Sequence, residues 1–97
     1  MAITYEQIEP YLKAVLDEFE WQEFINTGMK HLNGGYAHAE YASMDEDGEW
    51  VYITLKWGVN DGGTKNEHIE DYKISVAHLI SAELTIREKA EWVLEEN

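Results

Sequence analysis

Trp50-Val51-Tyr52-Ile53-Thr54-Leu55-Lys56-Trp57-Gly58-Val59 is the stretch that decides the fold. Val51, Ile53, Leu55 and Trp57 fall on one side of an extended chain, and Trp50, Tyr52, Thr54 and Lys56 on the other. A period of two with β-branched and aromatic residues marks a strand buried on one face. The apolar face is expected to meet a helix. Trp50 and Tyr52 lie opposite it, and covered packing is the expected state for them.

Reading outward, Asp45-Glu46-Asp47-Gly48 carries an Asp-Gly turn signal. Before it, Gly35 to Met44 alternates weakly, with Tyr36, His38, Glu40 and Ala42 on one side and Ala37, Ala39 and Tyr41 on the other. After it, Asn60-Asp61-Gly62-Gly63 predicts a second turn. Glu67 to Ile74 then completes a three-stranded antiparallel meander.

Helices flank the meander. Thr4 and Gln7 form a T-x-x-Q capping box that opens a helix at Tyr5. Ile8, Leu12, Val15 and Phe19 recur at helical spacing, and Glu6, Glu9, Asp17, Glu20 and Glu23 fall largely on the solvated side. Pro10 lies too deep for the first turn, which predicts a kink or a start near Glu9. Trp21 to Leu32 reads either as more helix or as a break at Asn26-Thr27-Gly28, and Asn33-Gly34-Gly35 is a firm stop. Ser75 caps a short helix holding Val76, Leu79 and Ile80. Thr85 and Glu88 form a second capping box before a final helix that points Ile86, Ala90, Val93 and Leu94 inward. The expected fold is one α+β domain over residues 1–97, a small three-stranded antiparallel sheet flanked by an N-terminal helix and C-terminal helices.

Ninety-seven residues suffice for one core, and 44% hydrophobic content with four Trp, six Tyr and two Phe excludes a disordered acidic tail. The chain has no cysteine, so disulfides, thiolate metal sites and cysteine nucleophiles are excluded. No secretory leader is visible at MAITYEQIEP, and no apolar run approaches the roughly 20 residues that span a bilayer. An acidic surface is repelled by anionic membranes, so no membrane partner is expected.

Charge is the dominant functional signal. Twenty Asp and Glu oppose seven Lys and Arg, for a formal net charge of −13. Solubility of a small domain needs only about 2–8 charges in excess, and the surplus repels itself across the folded body. A strongly positive partner would offset that repulsion. The basic residues are scattered, so direct nucleic-acid binding is not expected.

The carboxylates gather in clusters. Glu88, Glu91 and Glu95 stand at i, i+3, i+7 and would share one face of the final helix. Their neighbours would lie roughly 4.5–6 Å apart along the axis, against about 3.4 Å per phosphate along a DNA strand. Asp45, Asp47 and Glu49 form a second cluster and Glu67, Glu70 and Asp71 a third, with Asp61 nearby and Glu40 on the first strand. These eleven are the expected partner-binding residues.

Competing chemistries are poorly supported. From Asp45, the EF-hand positions for Gly and Glu hold Trp50 and Lys56, so a calcium loop is not predicted. His31, His38, His68 and His78 show no metal-ligand spacing. No nucleophile elbow, phosphate loop or dinucleotide fingerprint occurs. The chain is expected to be neither an enzyme nor a holder of a cofactor or metal.

In length, charge and α/β element order, this short, cysteine-free, motif-poor chain resembles the small acidic phage-encoded anti-CRISPR proteins of the DNA-mimic type. That resemblance implies an inhibitor acting on a type I surveillance complex in the host cytoplasm, covering its basic DNA-binding site and blocking target recognition. The same electrostatics suit a restriction-enzyme decoy, or an immunity protein or antitoxin that covers a nuclease active site. Acids gathered on one stripe favour mimicry, and acids spread evenly favour a plain acidic domain.

Overall fold

The computed structural model describes residues 3–61 and 64–96, with the side chains of residue 42 and residues 61–65 outside that description. A helix α1 (Tyr5–Asn26) is followed by a 3-10 turn (Met29–His31) and strands β1 (Gly35–Met44), β2 (Trp50–Asp61) and β3 (Thr64–Ser75). Two short helices, α2 (Val76–Leu79) and α3 (Ile86–Glu91), precede a two-residue strand β4 (Leu94–Glu95). The antiparallel sheet runs in the order β1-β2-β3-β4. At roughly 3.3 Å per residue, the twelve-residue strands β2 and β3 explain the elongated body of 49 × 25 × 23 Å.

The decisive alternation of β2 is realised in full. Val51, Ile53 and Leu55 are buried, and Ile8, Leu12, Val15 and Phe19 of α1 close over them together with Ile74, Val76, Leu79, Ala90 and Val93. Ala39 joins this core from β1, with Ala37, Tyr41 and Met44 packed against it. A register shift between Tyr41 and Ser43 lets Tyr41 and Met44, on opposite parities of the strand, face the same side.

Helix α1 starts at Tyr5, where the Thr4 backbone N–H donates to Gln7 Oε1 at 2.8 Å. The alternative start near Glu9 is therefore corrected. Pro10 sits inside the helix and removes the bond its N–H would have given to the Glu6 carbonyl. It is exposed, so water reaches that carbonyl, and the buried stripe on either side holds the helix through it. Within Trp21 to Leu32 the helix continues to Asn26 and the chain turns at Gly28, whose φ of 80° suits glycine. The Asp45–Gly48 turn forms as expected, with Gly48 N–H donating to the Asp45 carbonyl at 3.1 Å. The expected turn at Gly62-Gly63 lies outside the described residues.

Three features of the sequence reading need correction. The third strand is longer, Thr64–Ser75 in place of Glu67 to Ile74. The sheet has a fourth strand, because the final helix ends at Glu91. Six residues are too few for a helix to sustain itself, and the outer edge of β3 offers unpaired backbone groups. Leu94 and Glu95 pair there with Lys73 and Tyr72, and Glu96 N–H reaches the Asp71 carbonyl at 2.9 Å. Trp92 stacks on His78 at 4.2 Å between ring centroids and fixes the turn. Leu94 and Ile86, expected inside, are exposed, while Ala90 and Val93 are buried as expected. Lastly, no second layer covers the outer face of β2 among the described residues. Trp50 and Tyr52 are half-buried by sheet neighbours, with Lys73 Nζ 4.3 Å from the Trp50 ring centre.

Candidate functional site

The fold disperses most of the predicted carboxylates and gives many of them structural tasks. Asp45 Oδ1 accepts from the Glu49 N–H at 2.9 Å and the Trp50 N–H at 3.2 Å, closing the β1–β2 turn. Asp47 and Glu49 stand exposed on that turn. Glu40 lies 3.3 Å from Lys56 across the open sheet face. On α3, Glu88 completes the Thr85 capping box and Glu91 sits 3.9 Å from Arg87. Glu95 is on β4, so the expected row Glu88–Glu91–Glu95 does not exist. Asp61 is among the residues whose side chains lie outside the description.

The third cluster splits across the sheet. By register, Glu67 and Asp71 oppose Gly58 and Thr54 on the open face, whereas Glu70 opposes the core residue Leu55. Glu67 Oε2 accepts from the Tyr36 hydroxyl at 2.6 Å, and desolvation together with this carboxylate pushes the Tyr36 pKa up to about 12. Glu70 instead accepts from the Tyr72 hydroxyl at 2.7 Å and from Trp57 Nε1 at 3.4 Å. It ties β2 and β3 together on the core-facing side of the sheet and is not displayed on the open face.

Glu23 of α1 completes an acidic group with Glu70 and Glu95. Burial, then the charges of Glu70 and Glu95, raise its pKa above the ordinary 4.5. A raised folded pKa contributes stability that is complete below the unfolded value and lost as pH rises through the folded value. Glu23 thus makes the fold more stable near pH 5 than near pH 7. Glu23→Gln is expected to raise stability at neutral pH and to flatten that slope, read from urea midpoints at both pH values. An unchanged difference between the two midpoints would contradict this.

The edge of β1 is protected by the same helix. Glu20 Oε2 accepts from the Ala39 N–H at 2.9 Å and lies 3.1 Å from His38 Nδ1. Ala39 N–H is an outward edge donor, and a carboxylate on it blocks pairing with another strand. Glu20 is one-third exposed, so its hydrogen bond is discounted to about 1 kcal/mol. Glu20→Ala is expected to lose that much in denaturant unfolding and to associate at high concentration. A monomer of unchanged stability would count against this role.

One acidic row emerges that the predicted set omitted. Glu6, Glu9, Asp17 and Glu20, with Lys13 between them, follow steps of 3, 4, 4 and 3 along α1 and share one face. From Glu6 to Glu20 the row spans about 21 Å, comparable with about six phosphate steps of one DNA strand. Glu6, Glu9 and Asp17 are exposed. Lys13 pairs with Asp17 at 3.1 Å, but both are largely solvated (85% and 65% exposed), so the pair is weak and exchangeable. The sequence carries the signal as spacing, but the sequence reading places these acids simply on the solvated side of the helix and not among the contact residues.

Among the described residues no helix is long and apolar enough to cross a membrane, and no group of three His, Cys, Asp or Glu is placed to hold a metal ion. Comparison with protein-family models, with curated proteins and with solved structures found no match to this chain.

Proposed function

We propose that this chain is an acidic DNA mimic that occupies a basic nucleic-acid-binding site on another protein and blocks DNA recognition there. The observation that carries this reading is the exposed carboxylate row on α1. It follows one face of a single helix and is phosphate-like in sign and extent. Among the described residues Glu6 and Glu9 are free of the turn, capping and sheet contacts that engage Asp45, Glu88 and Glu70. The partner favoured by size, charge and element order is a type I CRISPR surveillance complex, with the protein acting as an anti-CRISPR inhibitor.

The mechanism needs no covalent chemistry. Opposite fields accelerate encounter, and carboxylates on a preformed helix meet Arg and Lys through charge-assisted hydrogen bonds. Because the row is built into a folded helix, little ordering entropy is spent on binding. Affinity for the purified complex is expected to fall steeply between about 0.05 and 0.5 M salt, as the screening length shortens from about 14 to about 4 Å. An affinity that does not change over this range would rule out an electrostatic mimic.

A further inference from the structure

A cleft of about 370 Å³ opens where the acidic row ends, between the C-terminal half of α1 and the start of β1. Its lining includes the carboxylate residues Asp17 and Glu20, the aromatic residues Trp21 and Phe24, and the strand residues Gly35 and Ala37. We infer that this cleft is a receptor for one guanidinium group, the side chain of an arginine presented by the basic partner. The inference deepens the mimic reading and rests on it for the partner.

Three observations select this occupant. First, the chemistry of the walls is mixed. Trp21 and Phe24 lie 6.0 Å apart between ring centroids, and Trp21 is 48% exposed. Aromatic faces next to carboxylates suit a planar, weakly hydrated cation that stacks and donates in its plane. A strongly hydrated ammonium fits such walls less well. Second, the Trp21 ring holds a cation within the protein, with Lys30 Nζ 4.8 Å from its centre. An arginine must displace this ammonium or stack on the other ring face, and its weaker hydration suits it to do so. Third, the acceptors lie at the cleft. Among the described residues Asp17 has only its exchangeable surface pair with Lys13. Glu20 is held through Oε2 by Ala39 N–H and lies beside His38 Nδ1, which leaves Oε1 as its open acceptor. Ala37, two residues before Ala39, turns its backbone groups to the same outer edge of β1.

The functional consequence is specificity. A row of exposed acids attracts any basic surface, whereas a single arginine seated against a ring fixes register. Arginine and tryptophan are common anchors of protein interfaces. The cleft thus supplies the point at which a long-range field becomes one docked geometry.

The test uses the intact protein and a small probe, so it does not depend on any partner. Acetyl-arginine methylamide is titrated while the indole N–H signals of the four tryptophans are followed by NMR. The neutral isostere acetyl-citrulline methylamide serves as control. The expected result is a saturable shift of the Trp21 signal at least about tenfold stronger for arginine than for citrulline, which corresponds to about 1.4 kcal/mol. The shift of the Ala37 amide is expected to disappear in Trp21→Ala and to weaken severalfold in Asp17→Asn. Both variants are checked by their melting curves, and Asp17→Asn keeps the test valid if Trp21→Ala folds poorly. No saturable shift, an equal response to citrulline, or an Ala37 shift unaltered by both substitutions would overturn the inference. Such a failure leaves the mimic reading intact, because that reading is tested separately by salt dependence and by competition with DNA.

Discussion

Reversing the α1 row as Glu6→Lys, Glu9→Lys and Asp17→Lys together is expected to weaken binding to the basic partner by about 100-fold or more. Each reversal replaces an attraction by a repulsion. With screening, about 1 kcal/mol per position is a modest figure beside close interfacial pairs, and about 3 kcal/mol is two orders of magnitude in affinity. The fold should lose far less. Glu6 favours the positive end of the helix dipole in the first turn, worth about 0.3–1 kcal/mol. Asp17→Lys also breaks the exposed pair with Lys13, worth about 0.3–0.5 kcal/mol. Calorimetric titration against the purified complex, beside thermal melts of the variant, separates the two effects. Unchanged affinity in the triple variant would remove α1 from the contact surface. Glu70→Lys is the contrasting substitution, because it removes the acceptor of Tyr72 and Trp57 and should damage the fold itself.

The second large effect is on stability. Leu55→Ala is expected to cost about 3–4 kcal/mol, since Leu55 is fully buried where β2 meets α1 and the space it leaves cannot collapse between two long strands. For a domain of this size that lowers the melting midpoint by roughly 15–25 °C. Leu94→Ala, at a residue 43% exposed on β4, should cost under about 1 kcal/mol. A sequence view that places Leu94 on the inner face of a helix expects a far larger loss there. Comparable losses from the two substitutions, read in urea unfolding, would contradict the placement of the core.

Which parts of this fold were legible follows from where the determining forces lie. The alternation over Trp50–Val59, the Asp-Gly turn and the two capping boxes are local, and each formed where the residues indicated. The end of α3 was not legible, because it is decided by the unpaired edge of β3, a partner far away in sequence. The same holds for the acidic residues. Glu67 and Glu70 look alike in the sequence, yet the sheet turns one to the open face and the other towards Tyr72 and Trp57. The row Glu6–Glu9–Asp17–Glu20 was written in helical spacing, but its use depends on α1 continuing unbroken through Pro10. Burial of Ile8 and Leu12 on either side of that proline, a tertiary effect, decides the point.

The most direct test of the central claim is competition for one site. Purified type I surveillance complex is saturated with this protein, and its duplex target DNA is added over a range of concentrations. The mimic account predicts mutual exclusion: DNA displaces the protein in proportion to its concentration, the protein displaces DNA in the reverse titration, and no ternary complex forms. A ternary complex, or no binding to the surveillance complex at any salt concentration, would contradict the assignment to that target.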